Sequence, residues 1–64
     1  MKYPKIKVKL VGEDGNAFAI LGRVTRAMHQ AKVPPEEIKQ FQTEAMSGDY
    51  DHLLCTCTEW VNVR

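Results

Sequence analysis

Asp14-Gly15-Asn16-Ala17-Phe18-Ala19-Ile20-Leu21-Gly22-Arg23-Val24 is the stretch on which the fold turns, because it supports two opposed readings. Asp-Gly beside apolar residues is the strongest short hairpin signal and would send a second strand through Phe18 and Ile20. Helical spacing stands against it. At 100° per residue, Ala17, Ile20, Leu21, Val24, Met28 and Ala31 fall inside an arc of about 100°, the stripe of a helix packed on a core. Arg23, Arg26 and Gln30 lie opposite. Asn16 suits an N-cap, since its side-chain oxygen can accept from the first free backbone amides. Glu13 and Asp14 stand at the positive end of the helix dipole and Lys32 near the negative end. The spacing predicts a helix over 16–31, with the hairpin as the minority reading. Gly22 inside that helix costs up to ~1 kcal/mol relative to alanine, which predicts a close approach by another element.

Upstream, Lys5-Ile6-Lys7-Val8-Lys9-Leu10-Val11 alternates strictly. A strand over 5–11 would bury Ile6, Val8 and Leu10 and leave three lysines in solvent, where they also discourage unwanted strand pairing. Downstream, Val33-Pro34-Pro35 is a helix stop, because a residue before proline avoids the helical region. Pro35 fits the first turn of a second helix, followed by Glu36 and Glu37 at its positive end. Ile38, Phe41 and Ala45 give that helix one buried face, and Ser47-Gly48 closes it with Gly48 expected in the left-handed conformation. Asp49 caps a third helix over about 49–58, on which Tyr50, Leu53, Leu54, Cys57 and Val61 share an arc. Val61-Asn62-Val63 then turns to β-branched alternation, predicting a short strand over 60–63 that pairs with 5–11. The fold class is α+β: three helices packed on a small two-stranded sheet formed by the chain termini, β-α-α-α-β, in a single domain over residues 1–64.

With 64 residues, this core is thin and self-association is a common remedy. No apolar run approaches the ~20 residues of a membrane helix, and the basic N-terminus alternates instead of leading into an apolar block, so neither a membrane span nor a signal peptide is expected. Two cysteines two residues apart cannot staple a secreted fold, which points to the cytoplasm. Net charge is +1, but unevenly spread: Lys2, Lys5, Lys7, Lys9, Arg23, Arg26 and Lys32 precede a second half rich in Glu36, Glu37, Glu44, Asp49, Asp51 and Glu59. Such halves can pair across the domain or between copies, or the basic half can meet nucleic acid.

Little in the chain points to catalysis. Cys55 and Cys57 on a helix point about 200° apart, wrong for sharing an ion. His52, Cys55 and Glu59 share an outward face, but zinc sites use four ligands in tighter groupings, and His29 would have to complete this set from another helix. Cys57 reads as a small core residue and Cys55 as a surface thiol. Asp49 and Asp51 sit where a helix start favours negative charge. No phosphate loop, dinucleotide fingerprint or nucleophile elbow is present, so no enzyme and no cofactor are expected. The second and third helices resemble a helix-turn-helix in spacing, yet the start of the third carries aspartates where base reading needs arginine, lysine, asparagine or glutamine. Trp60 anchors a partner if exposed and fills the thin core if buried; burial is the favoured expectation.

Asp14-Gly15-Asn16-Ala17-Phe18, Ile20-Leu21-Gly22, Glu44-Ala45-Met46-Ser47-Gly48-Asp49-Tyr50-Asp51, Leu53-Leu54 and Glu59-Trp60-Val61 together resemble a group of short, uncharacterised bacterial and bacteriophage proteins. The resemblance covers nearly the whole chain and implies a cytoplasmic, phage-derived setting, with no functional residues to carry over. The expected function is a non-enzymatic interaction or accessory module, self-associating or bound to a protein partner. The alternative is a weak nucleic-acid binder, not sequence-specific, using Lys5, Lys7, Lys9, Arg23 and Arg26.

Overall fold

A computed structural model describes every residue except Val11, Glu13 and Asp14. The order is β1 (Tyr3–Val8), α1 (Ala17–Gln30), α2 (Pro35–Ala45), α3 (Tyr50–Trp60) and β2 (Val61–Val63). The two terminal strands form one parallel two-stranded sheet, joined by a crossover that contains all three helices. Parallel pairing suits a crossover of this kind, since a tight hairpin can join only antiparallel strands.

Residues after Asn16 are helical, so the hairpin reading falls. The Asn16 side-chain oxygen accepts from the Phe18 amide at 2.8 Å, and the stripe Ile20, Val24, Met28 is buried. Ala17 and Ala31, predicted on the same stripe, are exposed because the helix overhangs the core at both ends. The dipole role expected of Glu13 and Asp14 lies outside the described residues.

The N-terminal strand is shifted from its predicted bounds. It begins at Tyr3 and ends at Val8, with Ile6 and Val8 inward and Lys5 and Lys7 outward. Its partner is only three residues long, and the pairing runs Tyr3 to Val61, then Lys7 to Asn62 and Val8 to Val63. The irregularity between Tyr3 and Lys7 accommodates Pro4, which has no amide to give to a ladder. Beyond the strand, the Leu10 amide still donates to the Arg64 carbonyl at 2.7 Å.

The helix ends also differ from expectation. After α1 it is Lys32 that takes the left-handed conformation, at φ 63°. Its amide donates to the His29 carbonyl and that of Val33 to the Met28 carbonyl, both at 3.0 Å, the paired bonds of a Schellman closure. Val33 is buried with Met28, which supplies the apolar contact such a closure favours. Gly48, by contrast, is not left-handed, since Gly12 is the glycine with positive φ among the described residues. Its smallness has another cause: a Cβ there would lie 2.8 Å from Cγ of the His52 ring. Among the described residues nothing lies within 4 Å of a Cβ placed on Gly22, so the close approach expected there is not found.

All three helices and both strands contribute to one core, in which Phe41, Met28, Val24, Val61 and Cys57 are fully enclosed. α3 is rotated from its predicted stripe. Its buried residues are Leu53, Thr56, Cys57 and Trp60, while Leu54 is half-buried and Tyr50 exposed, a turn of about 60° towards Trp60. Thr56 tolerates burial because its hydroxyl donates to the His52 carbonyl one turn back, at 2.9 Å.

Trp60 is 4% exposed, so its ring does not stand free to anchor a partner. It stacks on Tyr3 with centroids 6.3 Å apart and meets Phe41 edge-on at 5.8 Å. The indole N–H donates to Glu44 Oε2 at 2.9 Å, and Lys2 Nζ stands 4.4 Å over the ring. Lys2 also pairs with Glu37 at 3.1 Å, which joins the basic and acidic halves across the domain.

Candidate functional site

α1 emerges from the core with two different flanks. On one, the start of α1 meets the turn between α2 and α3 in an open groove of about 210 Å3, lined by Phe18, Leu21, Ala45, Met46, Tyr50 and Leu53. Helical spacing places Phe18 off the core stripe, and the ring is 73% exposed. Met46 follows the last residue of α2 and is 59% exposed; Tyr50 opens α3 and is 44% exposed. Tyr50 is held in place because its hydroxyl donates to the Gly15 carbonyl at 2.6 Å, tying the start of α3 to the entry of α1. Three large apolar side chains therefore share one rim. Single exposed apolar residues are ordinary on a small domain; here three of them are grouped around one hollow.

The sequence reading missed this groove. The sequence places Tyr50 on a buried arc, and Phe18 and Met46 fall within the stretches that carry the resemblance, which assigns neither a role. The available signal was Phe18 itself, a large aromatic lying off the α1 stripe.

The other flank of α1 is basic. Lys7 and Lys9, leaving β1, converge with Arg23, Arg26 and Gln30 on a cleft of about 210 Å3 floored by Val8 and Ala27. Four of the five residues expected to meet an anion are thus brought together. Lys5 is not among them: it lines a separate depression with Tyr3, Ile6, Lys32 and Val33. Strand alternation puts all three lysines on one face, but α1 runs beside only the later two.

The remaining candidates lie apart. Cys57 is enclosed, and burial pushes its thiol up to about 11, so it is protonated at neutral pH and a poor nucleophile. Cys55 is exposed and free. Among the described residues, no three of His, Cys, Asp and Glu stand close enough to hold a metal ion. His52 is engaged structurally: its Nε2 donates to the Glu44 carbonyl at 2.8 Å, one of the open carbonyls that end α2. Asp49 does cap α3, accepting from the His52 amide at 2.9 Å. Among the described residues, no helix is long and apolar enough to cross a membrane.

The fold and its two flanks define a small α+β chain with one apolar and one basic surface. Compared with known proteins, the chain matches no family model, no curated protein and no solved structure.

Proposed function

We propose that this chain is a non-enzymatic interaction module of the cytoplasm, in a bacterial or phage setting, whose apolar groove receives a second copy of itself. The observation that carries this reading is the shared rim of Phe18, Met46 and Tyr50 around a hollow floored by Leu21, Ala45 and Leu53. A two-fold pair requires one patch that is complementary to itself. This patch has both parts, a protruding ring and a hollow beside it, so that Phe18 of each copy can enter the groove of the other. A thin core adds a motive, since a second copy covers apolar surface that so short a chain cannot bury alone.

Size bears on the strength. A stable interface buries at least ~600 Å2 per partner, a considerable share of a chain whose whole surface is 4300 Å2. Area alone does not set affinity, and with one small patch per copy the pair is expected in the weak, micromolar range. Sedimentation equilibrium tests it. The expected average mass rises with concentration from 7.3 kDa towards twice that value. Phe18→Ser, a change at an exposed position that leaves the monomer folded, holds the mass at the monomer value. A wild-type chain that stays monomeric at ~1 mM, far above that range, overturns the reading.

A further inference from the structure

The basic cleft has a different chemistry from the groove. Its cations come as two pairs on two facing elements. Lys7 and Lys9 project from the same face of the N-terminal strand segment, about 6.6 Å apart along the chain. Arg23 and Arg26 are one turn apart on α1, with Cβ atoms about 5–6 Å from each other. Gln30, one turn beyond Arg26, adds a neutral group able both to donate and to accept. Among the described residues that line the cleft, none is acidic.

From this arrangement we infer that the cleft between β1 and α1 binds the phosphodiester backbone of a nucleic acid. Two rows of cations suit a chain of successive phosphates better than one compact anion, which four separated charges would bind no better than two. Arginine forks can take two oxygens of one phosphate, while the lysines act as mobile point charges along the strand. Nothing in the cleft reads base edges: its floor is Val8, which is buried, and Ala27. Binding is consequently blind to sequence and strongly dependent on salt. A bilayer would need apolar side chains that enter the lipid, and none protrudes from this cleft. The exposed Phe18 borders a neighbouring depression with Arg23 and Arg26, so vesicles are the competing probe in the test.

The inference is independent of self-association, and Phe18→Ser allows the cleft to be tested in the monomer. The test is fluorescence anisotropy of labelled oligothymidylate, titrated with the wild-type chain at several salt concentrations from about 20 mM upward. Phosphate contacts from Lys7, Lys9 and Arg26 predict that log K falls against log salt with a slope of about −2. Lys7→Gln and Arg26→Gln, both at exposed positions, should each weaken binding and flatten the slope by roughly 1. Lys5→Gln removes an equal charge outside the cleft and should leave both quantities nearly unchanged. Circular dichroism of each variant confirms that it is folded. Three results overturn the inference: no binding at the lowest salt, equal losses from Lys5→Gln and Lys7→Gln, or tighter binding to phosphatidylcholine–phosphatidylserine vesicles than to the oligonucleotide. None of these bears on the mass measurement that tests self-association.

Discussion

The two turns between helices solve the same problem with opposite residues. Between α1 and α2, Lys32 adopts the left-handed conformation that glycine usually supplies. Between α2 and α3, Gly48 is present and the left-handed conformation is not; the glycine instead makes room for His52. In the first turn, two backbone amides close the helix end. In the second, the Met46 and Ser47 amides donate to the Gln42 and Glu44 carbonyls at 3.1 and 3.2 Å. A side chain from the following helix joins them, with His52 Nε2 donating to the Glu44 carbonyl while Ser47 Oγ donates to the same carbonyl at 2.7 Å. A glycine near a helix end thus has two distinct causes. One is conformational and belongs to the backbone; the other is steric and belongs to whatever lies above it.

The largest effect should come from filling the space over Gly48. In Gly48→Ala the new methyl would sit 2.8 Å from Cγ and 2.9 Å from Cβ of His52. Cβ is fixed to the helix, so the ring cannot simply swing aside, and the bond to Glu44 is lost or strained. Overpacking of this kind costs about 1–3 kcal/mol, readable as a lowered urea midpoint. His52→Ala alone should cost no more than about 0.5 kcal/mol, because the Glu44 carbonyl still accepts from the Ser47 hydroxyl and amide. The double variant decides the mechanism. With the ring gone only the contact with Cβ at 2.9 Å remains. Gly48→Ala should then cost clearly less than it does beside His52, leaving a coupling energy of roughly 0.5 kcal/mol or more. Additive losses would show that Gly48 serves the backbone after all.

Replacing Lys32 probes the other cause. A side chain in the left-handed region costs about 1–2 kcal/mol, while glycine brings back roughly half of that as unfolded-state freedom. Lys32→Gly should therefore raise stability by about 0.5–1 kcal/mol, the opposite sign from Gly48→Ala. Lys32→Ala, which keeps a Cβ, should gain nothing comparable. Equal gains from both would assign the effect to the lysine charge and not to the backbone.

These turns show how much of the molecule could be read from its residues. Elements were legible wherever spacing and caps agreed. Asn16 and Asp49 cap as expected, Pro35 opens α2, and Ile38, Phe41 and Ala45 are buried. Details set by a partner far along the chain were not. The limits of β1 depend on a strand some fifty residues away (Val61–Val63), and nothing local to Lys5–Val11 encodes its brevity. The rotation of α3 follows from Trp60 meeting Tyr3 and Phe41, and from Thr56 satisfying its own hydroxyl, so a buried face that looked polar was passed over. The basic cleft was visible as four cations but not as a place, because only packing shows which lysines α1 runs beside. The groove was missed since its rim comes from three separate elements with no common period.

Acidity separates the two turns most gently. The first leads into α2, whose opening turn is held from outside by the N-terminal segment. The Glu37 carboxylate lies under the influence of the Tyr3 hydroxyl, and Lys2 adds a charged partner at 3.1 Å. The hydrogen bond from Tyr3, then that from Lys2, keeps the Glu37 pKa below its ordinary 4.5. The same bond, with a smaller contribution from desolvation, raises Tyr3 above 10.0. A depressed carboxyl pKa gives stability that is present above the unfolded value of 4.5 and disappears as pH falls through the folded one. A raised phenol pKa gives stability that is complete below 10.0 and disappears as pH rises through the folded value. This contact should therefore contribute evenly across neutral pH and fade at both ends. Solvent reaches the pair, so the effect is small, and it is best seen as a difference between two curves. Glu37→Gln keeps the shape of the side chain but cannot ionise. Subtracting its urea midpoints from those of the wild type should give a plateau that falls away in acid and again in strong base. The subtraction should look the same in a Gly48→Ala background, since the second turn shares no titrating group with this contact. A flat difference across the whole range would mean that the first turn stands on its backbone closure and the buried Val33 alone.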